Sequence, residues 1–355
     1  MRSAAFLVPG NLDTRTGGYI YDRHIVEGLR ERGWTIDVIE LSDSFPFPAA
    51  EALRHAAEAL AGLADGTVVL ADGLAYSAMP DVAAAEAARL LFVPIVHLPL
   101  AQDVGLEPRV AARLEADERR ALAAARLIVV TGAPTVGVLS VYGLPSESIL
   151  LVEPGTDPAP IARGSGAGPG TTVALLCVAT LSPGKGHAIL LRALAAAPHR
   201  QWHLTCAGSL TRHAGTLADV RRLLVECDLE DHVSLPGELH EKGMAECYDR
   251  ADVFVLPTLR ETYGMAVAEA LARGLPVVST MTGAIPSLVG SDAGLLVPPG
   301  DEPAFTDALA QMLVNPDLRR RLARGAQVVR EQLPGWDVSL DKIATALAGL
   351  DGSSR

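Results

Sequence analysis

Aromatic side chains are scarce in this sequence: six Phe, six Tyr and three Trp among 355 residues, about 4%, where hydrophobic residues as a whole make up 49%. The core must therefore be built from Ala, Val and Leu, which suits Ala-rich helices packed on Val/Leu strands and argues against an all-β fold. Basic residues are outnumbered, thirty against forty-two acidic, and the resulting net charge of −12 repels phosphate backbones and anionic lipid surfaces. No nucleic-acid partner is expected, although a local basic site can still hold one small anion. Uninterrupted apolar runs stay well short of the ~20 residues of a membrane span, so stable membrane insertion is not expected. The N-terminus carries one Arg and a short apolar run, Ala4 to Val8, broken by Pro9 and Gly10. It lacks the apolar stretch of a signal peptide, and a cytoplasmic location is the expectation. Cysteines number only four, Cys177, Cys206, Cys227 and Cys247, with no CxxC pair and no sequence cluster with His. They read as reduced, buried thiols rather than metal ligands.

What is present is an alternation. A chain of this length exceeds one ordinary domain and is short for three. Apolar runs predict strands at Ala4–Val8, Thr35–Leu41, Thr67–Ala71, Phe92–His97, Leu127–Val130 and Ile149–Val152, with helical patterns between most of them, the first at Tyr19–Arg32 and closed by Gly33. Between Asp157 and Gly170 the composition turns to Pro, Ala, Gly and Ser without periodicity, which reads as a linker. A second series follows, with strands at Thr172–Val178, His203–Cys206, Val253–Leu256 and Val277–Ser279. Alternation of this kind means an α/β fold with two doubly wound, mostly parallel, Rossmann-like sheets. The expected division is an N-terminal domain over 1–158, a linker over 159–170, a second domain over 171–334 and a final amphipathic helix within 335–355 packing back on the first domain. Ligands of such sheets bind outside the carboxyl ends of the strands, so two domains facing each other would form one deep cleft.

Polar residues fall where that rule places them. Leu256-Pro257-Thr258-Leu259-Arg260-Glu261-Thr262-Tyr263-Gly264-Met265-Ala266-Val267-Ala268-Glu269 starts at a strand end and runs into a helix. Gly264 allows a tight backbone approach at the helix start, and a carboxylate such as Glu269 has two acceptor oxygens that match vicinal ribose hydroxyls. On pattern alone, Glu261 and Glu269 equally fit solvated helix residues. Lys185, in Ser182-Pro183-Gly184-Lys185-Gly186-His187, follows a strand and could neutralise a diphosphate, or merely cap a turn. It is not a P-loop lysine, because Ala179 stands where the first Gly belongs and Gly186 where Ser or Thr should hold magnesium. His97 ends a strand; Gly17-Gly18 follows one, where a bare backbone can approach a phosphate. Gly208-Ser209 and Gly237-Glu238-Leu239 are strand-end loops. His24, His187 and His203 read as structural. The glycines at 164, 166, 168 and 170 precede a strand instead of following one and do not make a dinucleotide turn.

The run from Glu261 to Glu269 resembles the E-x7-E signature of glycosyltransferase family 4, retaining enzymes of the GT-B fold. The flanking Ala251-Asp252-Val253-Phe254-Val255-Leu256-Pro257 and Gly274-Leu275-Pro276-Val277-Val278 are similar too, as are Gly17-Gly18, Val152 to Asp157 and Gly184-Lys185-Gly186. The resemblance implies that Glu261 contacts the donor sugar, that Glu269 contacts the ribose and that His97 lies near the reacting sugar. It further implies that the backbone of Tyr263, Gly264 and Met265 lines the sugar and phosphate pocket, that Gly17, Gly18 and Lys185 serve the diphosphate, and that loops at Gly208 and Leu239 border the base. One departure stands out: family members commonly carry an arginine where this chain has Thr180, and Arg192 is the next arginine along. Arg260 and Arg212 are candidate replacements.

The implied reaction is retaining, metal-independent transfer of a sugar from a nucleoside-diphosphate sugar to an acceptor hydroxyl, the acceptor being a small molecule or glycan. No metal site and no cofactor beyond the nucleotide-sugar substrate is expected, and no Asp-x-Asp motif is present to hold a metal. Two alternatives share the architecture: a sugar-nucleotide 2-epimerase, which needs no acceptor, and a nucleotide-sugar-binding protein without turnover. Sugar, base, acceptor and oligomeric state are not legible in the sequence.

Overall fold

The computed structural model describes residues 2–166 and 171–351. Two compact units emerge, one comprising Met1–Gly155 together with Trp336–Arg355 and the other Thr156–Gly335. In the first, strands β1 (Arg2–Pro9), β2 (Trp34–Leu41), β3 (Val68–Asp72), β4 (Leu91–Val96), β5 (Ile128–Val130) and β6 (Ile149–Leu151) form one sheet in the order β2-β1-β3-β4-β5-β6. In the second, β7 (Val173–Val178), β8 (Trp202–Ala207), β9 (Val233–Gly237), β10 (Val253–Leu256), β11 (Val277–Thr280) and β12 (Gly294–Val297) form another in the order β12-β11-β10-β7-β8-β9. Every strand pair is parallel. This is the arrangement that helix crossovers impose, and the near-continuous Val/Leu/Ile runs are what strands covered on both faces require.

The strand orders decide where a ligand can enter. In the first sheet the chain steps from β1 to β2 on one side and then to β3 on the other. In the second it steps from β7 to β8 and β9, then returns past β7 to β10. Each reversal opens a crevice at the carboxyl ends of the two strands flanking it. Those crevices lie beyond β1 and β3 in the first unit and beyond β7 and β10 in the second.

The pattern does not mark β9 and β12 as separate strands. Both are sheet edges, β9 containing Pro236 and a register shift against β8, β12 only four residues long. Edge strands are half-solvated and tolerate Pro, so β9, Val-Ser-Leu-Pro-Gly, lacks the continuous apolar run that signals a central strand, while β12 is a brief Gly-Leu-Leu-Val run ending at Pro298.

The segment from Thr156 onward has linker composition, yet through residue 165 it is laid against the second unit. Arg330 donates to the Ala159 carbonyl, Ala162 N–H to Arg273 O and Gly164 N–H to Asp249 O, and the Ser165 hydroxyl donates to Asp252 Oδ2 at 2.6 Å. Pro, Gly and Ser supply the extended backbone and short donors such a strap needs, which is why its composition imitates a free tether. Gly168 and Gly170 lie outside the described residues.

The helix Trp336–Asp351 belongs to the first unit. Arg32 reaches Asp337 at 2.9 Å and Asp341 at 2.8 Å, the His24 ring stacks on Trp336 with centroids 3.9 Å apart, and Ser339 donates to the Glu153 carbonyl. Among the described residues, no helix is long and apolar enough to cross a membrane.

The reading of the cysteines as thiols without a histidine cluster needs correction. Cys177 on β7 pairs in register with Cys206 on β8, and His187 Nε2 lies 3.9 Å from Cys177 Sγ. Sequence separations of 29 and 10 residues hid what a parallel register brings together. Cys227 and Cys247 are partly exposed.

Candidate functional site

In the second unit, both strands that flank the reversal end in loops carrying the residues singled out in the sequence. After β7 the chain makes a short 3₁₀ turn at Pro183–Lys185 and then Gly186, with φ +70°, before the helix His187–Ala195. A Cβ on Gly186 would stand 2.1 Å from the Pro257 carbonyl oxygen, so only glycine permits both this φ and this approach to the loop after β10. The Gly184 carbonyl accepts from Leu259 N–H at 2.7 Å and from the Thr258 hydroxyl at 3.1 Å, fastening the two loops together.

That fastening sets the central contact. Lys185 Nζ donates to Glu261 Oε2 at 2.7 Å, with both side chains mostly buried, 28% and 18% exposed. An ammonium has three donors, so one contact with a carboxylate leaves capacity for phosphate oxygens. Beyond Glu261 the backbone turns through Gly264, φ +99°, into the helix Met265–Ala272. Its first helical bonds run from Val267 and Ala268 N–H to the Gly264 carbonyl, so the N–H groups of Met265 and Ala266 have no helical carbonyl to reach, a setting that favours an anion. Tyr263 is buried and packs with Ala268 and Ala284, with Met265 against them.

Glu269, in the same helix, accepts from the Tyr248 hydroxyl at 2.8 Å. Arg273 lies over the Tyr248 ring, 4.3 Å from its centroid, and donates to the Glu269 carbonyl. Burial raises the Glu269 carboxyl above its ordinary range, against the opposing effects of the Tyr248 hydrogen bond and the Arg273 charge. Farther along the sheet, Gly208 follows β8 and donates to the carbonyl of Gly237, the last residue of β9, while the Ser209 carbonyl accepts from Leu181 N–H. Leu239, half-buried, sits just before the helix Glu241–Arg250, whose first turn His240 caps through Nδ1.

Of the cations considered as replacements for the arginine absent at Thr180, Arg212 and Arg260 are exposed. Arg192 is held in a bidentate pair with Glu302.

The first unit builds its own cluster around its reversal. Gly17 and Gly18 are not a loop ahead of the first helix, as the sequence suggested; they are its first two residues, with Thr16 at the N-cap. The closeness of this helix end to the residue after β4 accounts for Gly18, since a Cβ there would meet the His97 ring at 3.1 Å. His97 lies one residue beyond β4, with Nε2 3.0 Å from Asp22 Oδ1 and 4.0 Å from Asp72 Oδ2. Tyr21 stands edge-on to the His97 ring and donates to the Val152 carbonyl.

Both aspartates are fully buried. Burial pushes Asp22 up to about 7, and pushes Asp72 well up too, helped by the neighbouring Asp22 charge. Burial pulls His97 down. Two carboxyls and an imidazole in one desolvated space thus hold protons near neutral pH that water would remove from the acids. The alternation pattern flags neither Asp22, inside a helix, nor Asp72, at the last residue of β3.

Similarities to known proteins follow this geometry. Residues 172–315, which span both loops of the second unit, match the protein family described as Glycosyl transferases group 1. A D-inositol 3-phosphate glycosyltransferase of Kineococcus radiotolerans is 31% identical over 265 residues, 67% of this chain and 60% of that protein. The same-named protein of Saccharomonospora viridis is 29% identical, over 74% of this chain and 67% of its own length. The chain thus spans about three fifths to two thirds of these relatives. Among solved structures, sucrose-phosphate synthase from Thermosynechococcus elongatus superposes with a TM-score of 0.84 at 21% identity, covering 100% of both chains. Anabaena HepE in complex with UDP and glucose superposes with a TM-score of 0.77 at 18% identity, over 98% of this chain and 100% of that one.

The fold is GT-B. At these identities the likeness is one of architecture, and it includes both six-stranded parallel sheets. Within this GT-B chain the site residues separate by unit. Lys185, Gly208, Leu239, Glu261, Tyr263, Gly264, Met265 and Glu269 belong to the second, and Gly17, Gly18 and His97 to the first. Lys185 and Glu261 are brought into direct contact, and the His97 ring occupies the space a side chain on Gly18 would need. His187 and His203 have protein partners, Cys177 and Ser234 respectively.

Proposed function

We propose that this chain is a retaining glycosyltransferase that moves a sugar from a nucleoside-diphosphate sugar to an acceptor hydroxyl with no metal taking part in the transfer. The observation that carries the reading is the Lys185–Glu261 contact at the β7/β10 reversal, beside the open N-terminus of the helix that bears Glu269. A cation and unpaired helix N–H groups suit a diphosphate, and two carboxylates eight residues apart suit polyols on either side of it. The family match over residues 172–315 and the UDP and glucose named for the Anabaena structure support a nucleotide-sugar donor.

In this reading Glu269, held by Tyr248, takes the ribose hydroxyls, and Glu261 takes hydroxyls of the transferred sugar. Lys185 and the Met265 and Ala266 N–H groups stabilise the departing diphosphate. The bond from the anomeric carbon to the phosphate oxygen breaks with its electron pair going to the diphosphate, and positive charge grows on the sugar. The acceptor oxygen bonds to the anomeric carbon on the same face, and its proton passes to the leaving phosphate. Stabilising charge where it develops is the principal contribution of such a site. His97 is assigned to the reacting sugar, and Gly17 and Gly18 to the diphosphate.

The test is to incubate the protein with UDP-, GDP-, ADP- and dTDP-sugars and a panel of polyol and glycan acceptors, then read the product's anomeric configuration by NMR. Retained configuration is the expected result. Inverted configuration would contradict the mechanism, and an epimeric sugar formed from donor alone would replace transfer by 2-epimerisation.

A further inference from the structure

We propose that Cys177, Cys206 and His187 form a buried binding site for a soft divalent cation of the zinc class, in the core of the second unit beside the turn that carries Lys185. The three side chains come from three consecutive elements. β7 and β8 set Cys177 and Cys206 opposite each other, and the helix His187–Ala195 begins with the imidazole. One ligand atom from each lies within 4.8 Å of the other two, and the Cys177 Sγ to His187 Nε2 distance is 3.9 Å. A tetrahedral zinc with bonds of about 2.3 Å to sulfur and about 2.0 Å to nitrogen places sulfur and nitrogen about 3.5 Å apart. Small side-chain adjustments therefore close the site.

The chemistry of the donors narrows the cation. Two sulfurs and one imidazole favour zinc, cadmium or copper(I), whereas magnesium and calcium require oxygen. Exposures of 0% at Cys177, 2% at Cys206 and 3% at His187 leave the cluster out of water. The other ring nitrogen, Nδ1, is buried with no hydrogen-bond partner. A cation on Nε2 leaves the ring proton on Nδ1, so this orphan is not relieved by binding and the case rests on the geometry of the three donors. Each thiol that becomes a ligand gives its proton to solvent, so binding is written as two S–H and one imidazole taking one divalent cation and releasing two protons. Three protein ligands leave one tetrahedral position that no further His, Cys, Asp or Glu fills among the described residues. None of the three takes a step in the account of transfer above, and the cadmium test reads metal binding without any sugar donor.

Cadmium reports sulfur ligation directly through its charge-transfer absorption in the ultraviolet. Because the donors are out of solvent, cadmium is added both to the folded, reduced protein and during refolding, and bound metal is counted after desalting. One cadmium per chain is expected, displaced by zinc, with at least tenfold weaker binding in Cys177→Ser and Cys206→Ser and unchanged binding in a variant carrying Cys227→Ser and Cys247→Ser. Should the core variants fail to fold, the wild-type protein still decides, since a cation held only by the folded core raises the melting temperature. No charge-transfer band, no rise in melting temperature with zinc, or a band lost only with Cys227 and Cys247 would overturn the proposal.

Discussion

Lys185 and Glu261 are 76 residues apart in the chain and form a 2.7 Å ion pair, because Gly186 lets the turn after β7 rest on the loop after β10. Such a pair at a half-buried surface contributes little to stability, about 1 kcal/mol or less. Lys185→Ala should therefore leave the melting temperature of the ligand-free protein within a few degrees of wild type. Its affinity for nucleoside-diphosphate sugars should fall at least tenfold, and its affinity for the bare nucleoside should hardly change. Calorimetric titration of both ligands checks this, and equal losses for the two would refute a phosphate role.

The Gly186 geometry itself makes a stability prediction. Gly186→Ala combines φ +70° with a Cβ 2.1 Å from the Pro257 carbonyl oxygen, so the two loops must part. A loss of about 3 kcal/mol is expected by chemical denaturation. Gly137→Ala, in the helix Ala133–Ser140 with nothing within 4 Å, is the contrast and should stabilise by roughly 0.5–1 kcal/mol. Similar effects at both positions would contradict the packing described.

The β-strands of both sheet centres, the first helix and the passage from loop to helix between Glu261 and Glu269 are legible because burial on both faces and glycine punctuation leave direct traces in sequence. Contacts between distant segments leave none. Asp22 looks like any polar helix residue, and only the folding of β3 and β4 beside the first helix makes it a neighbour of Asp72 and His97. Cys177 and Cys206 are unremarkable by spacing until parallel register sets them side by side. The contacts of the linker-like stretch after Asp157 leave little trace for a further reason: bonds such as Ala162 N–H to Arg273 O are made by the backbone, which has no side-chain signature.

Acid titration should report the Asp22 cluster. Asp22 carries a folded-state pKa of about 7 against an ordinary 3.8, so the folded state binds more protons than the unfolded one between those values. Its contribution to stability is greatest below about pH 4 and is lost as pH rises through 7. His97, pulled down by burial, acts in the opposite sense below its ordinary value of 6.5. Asp22→Asn removes the first effect, so the stability of the variant relative to wild type should climb between pH 4 and 7 and level off above. The full span is on the order of 4 kcal/mol. Denaturation at several pH values measures it, and a difference that falls with rising pH would exclude the raised carboxyl.

Tyr248→Phe removes the hydrogen bond that fixes Glu269 while keeping the ring beneath Arg273. Stability should drop by about 1 kcal/mol. Nucleotide affinity should drop severalfold, less than in Glu269→Ala, because the carboxylate survives but is no longer held. Affinity in Tyr248→Phe at or below that of Glu269→Ala would show that the tyrosine, not the glutamate, meets the ligand.

The most direct test of the donor site is calorimetric titration of wild type and Glu269→Ala with UDP, GDP, ADP and dTDP. One nucleotide should bind the wild-type protein in preference to the others, and its affinity should fall at least tenfold in Glu269→Ala while the variant's melting curve stays cooperative. Binding of that nucleotide with equal affinity to both proteins, or of none of the four to wild type, would contradict the assignment of the β7/β10 crevice as a nucleotide-sugar site.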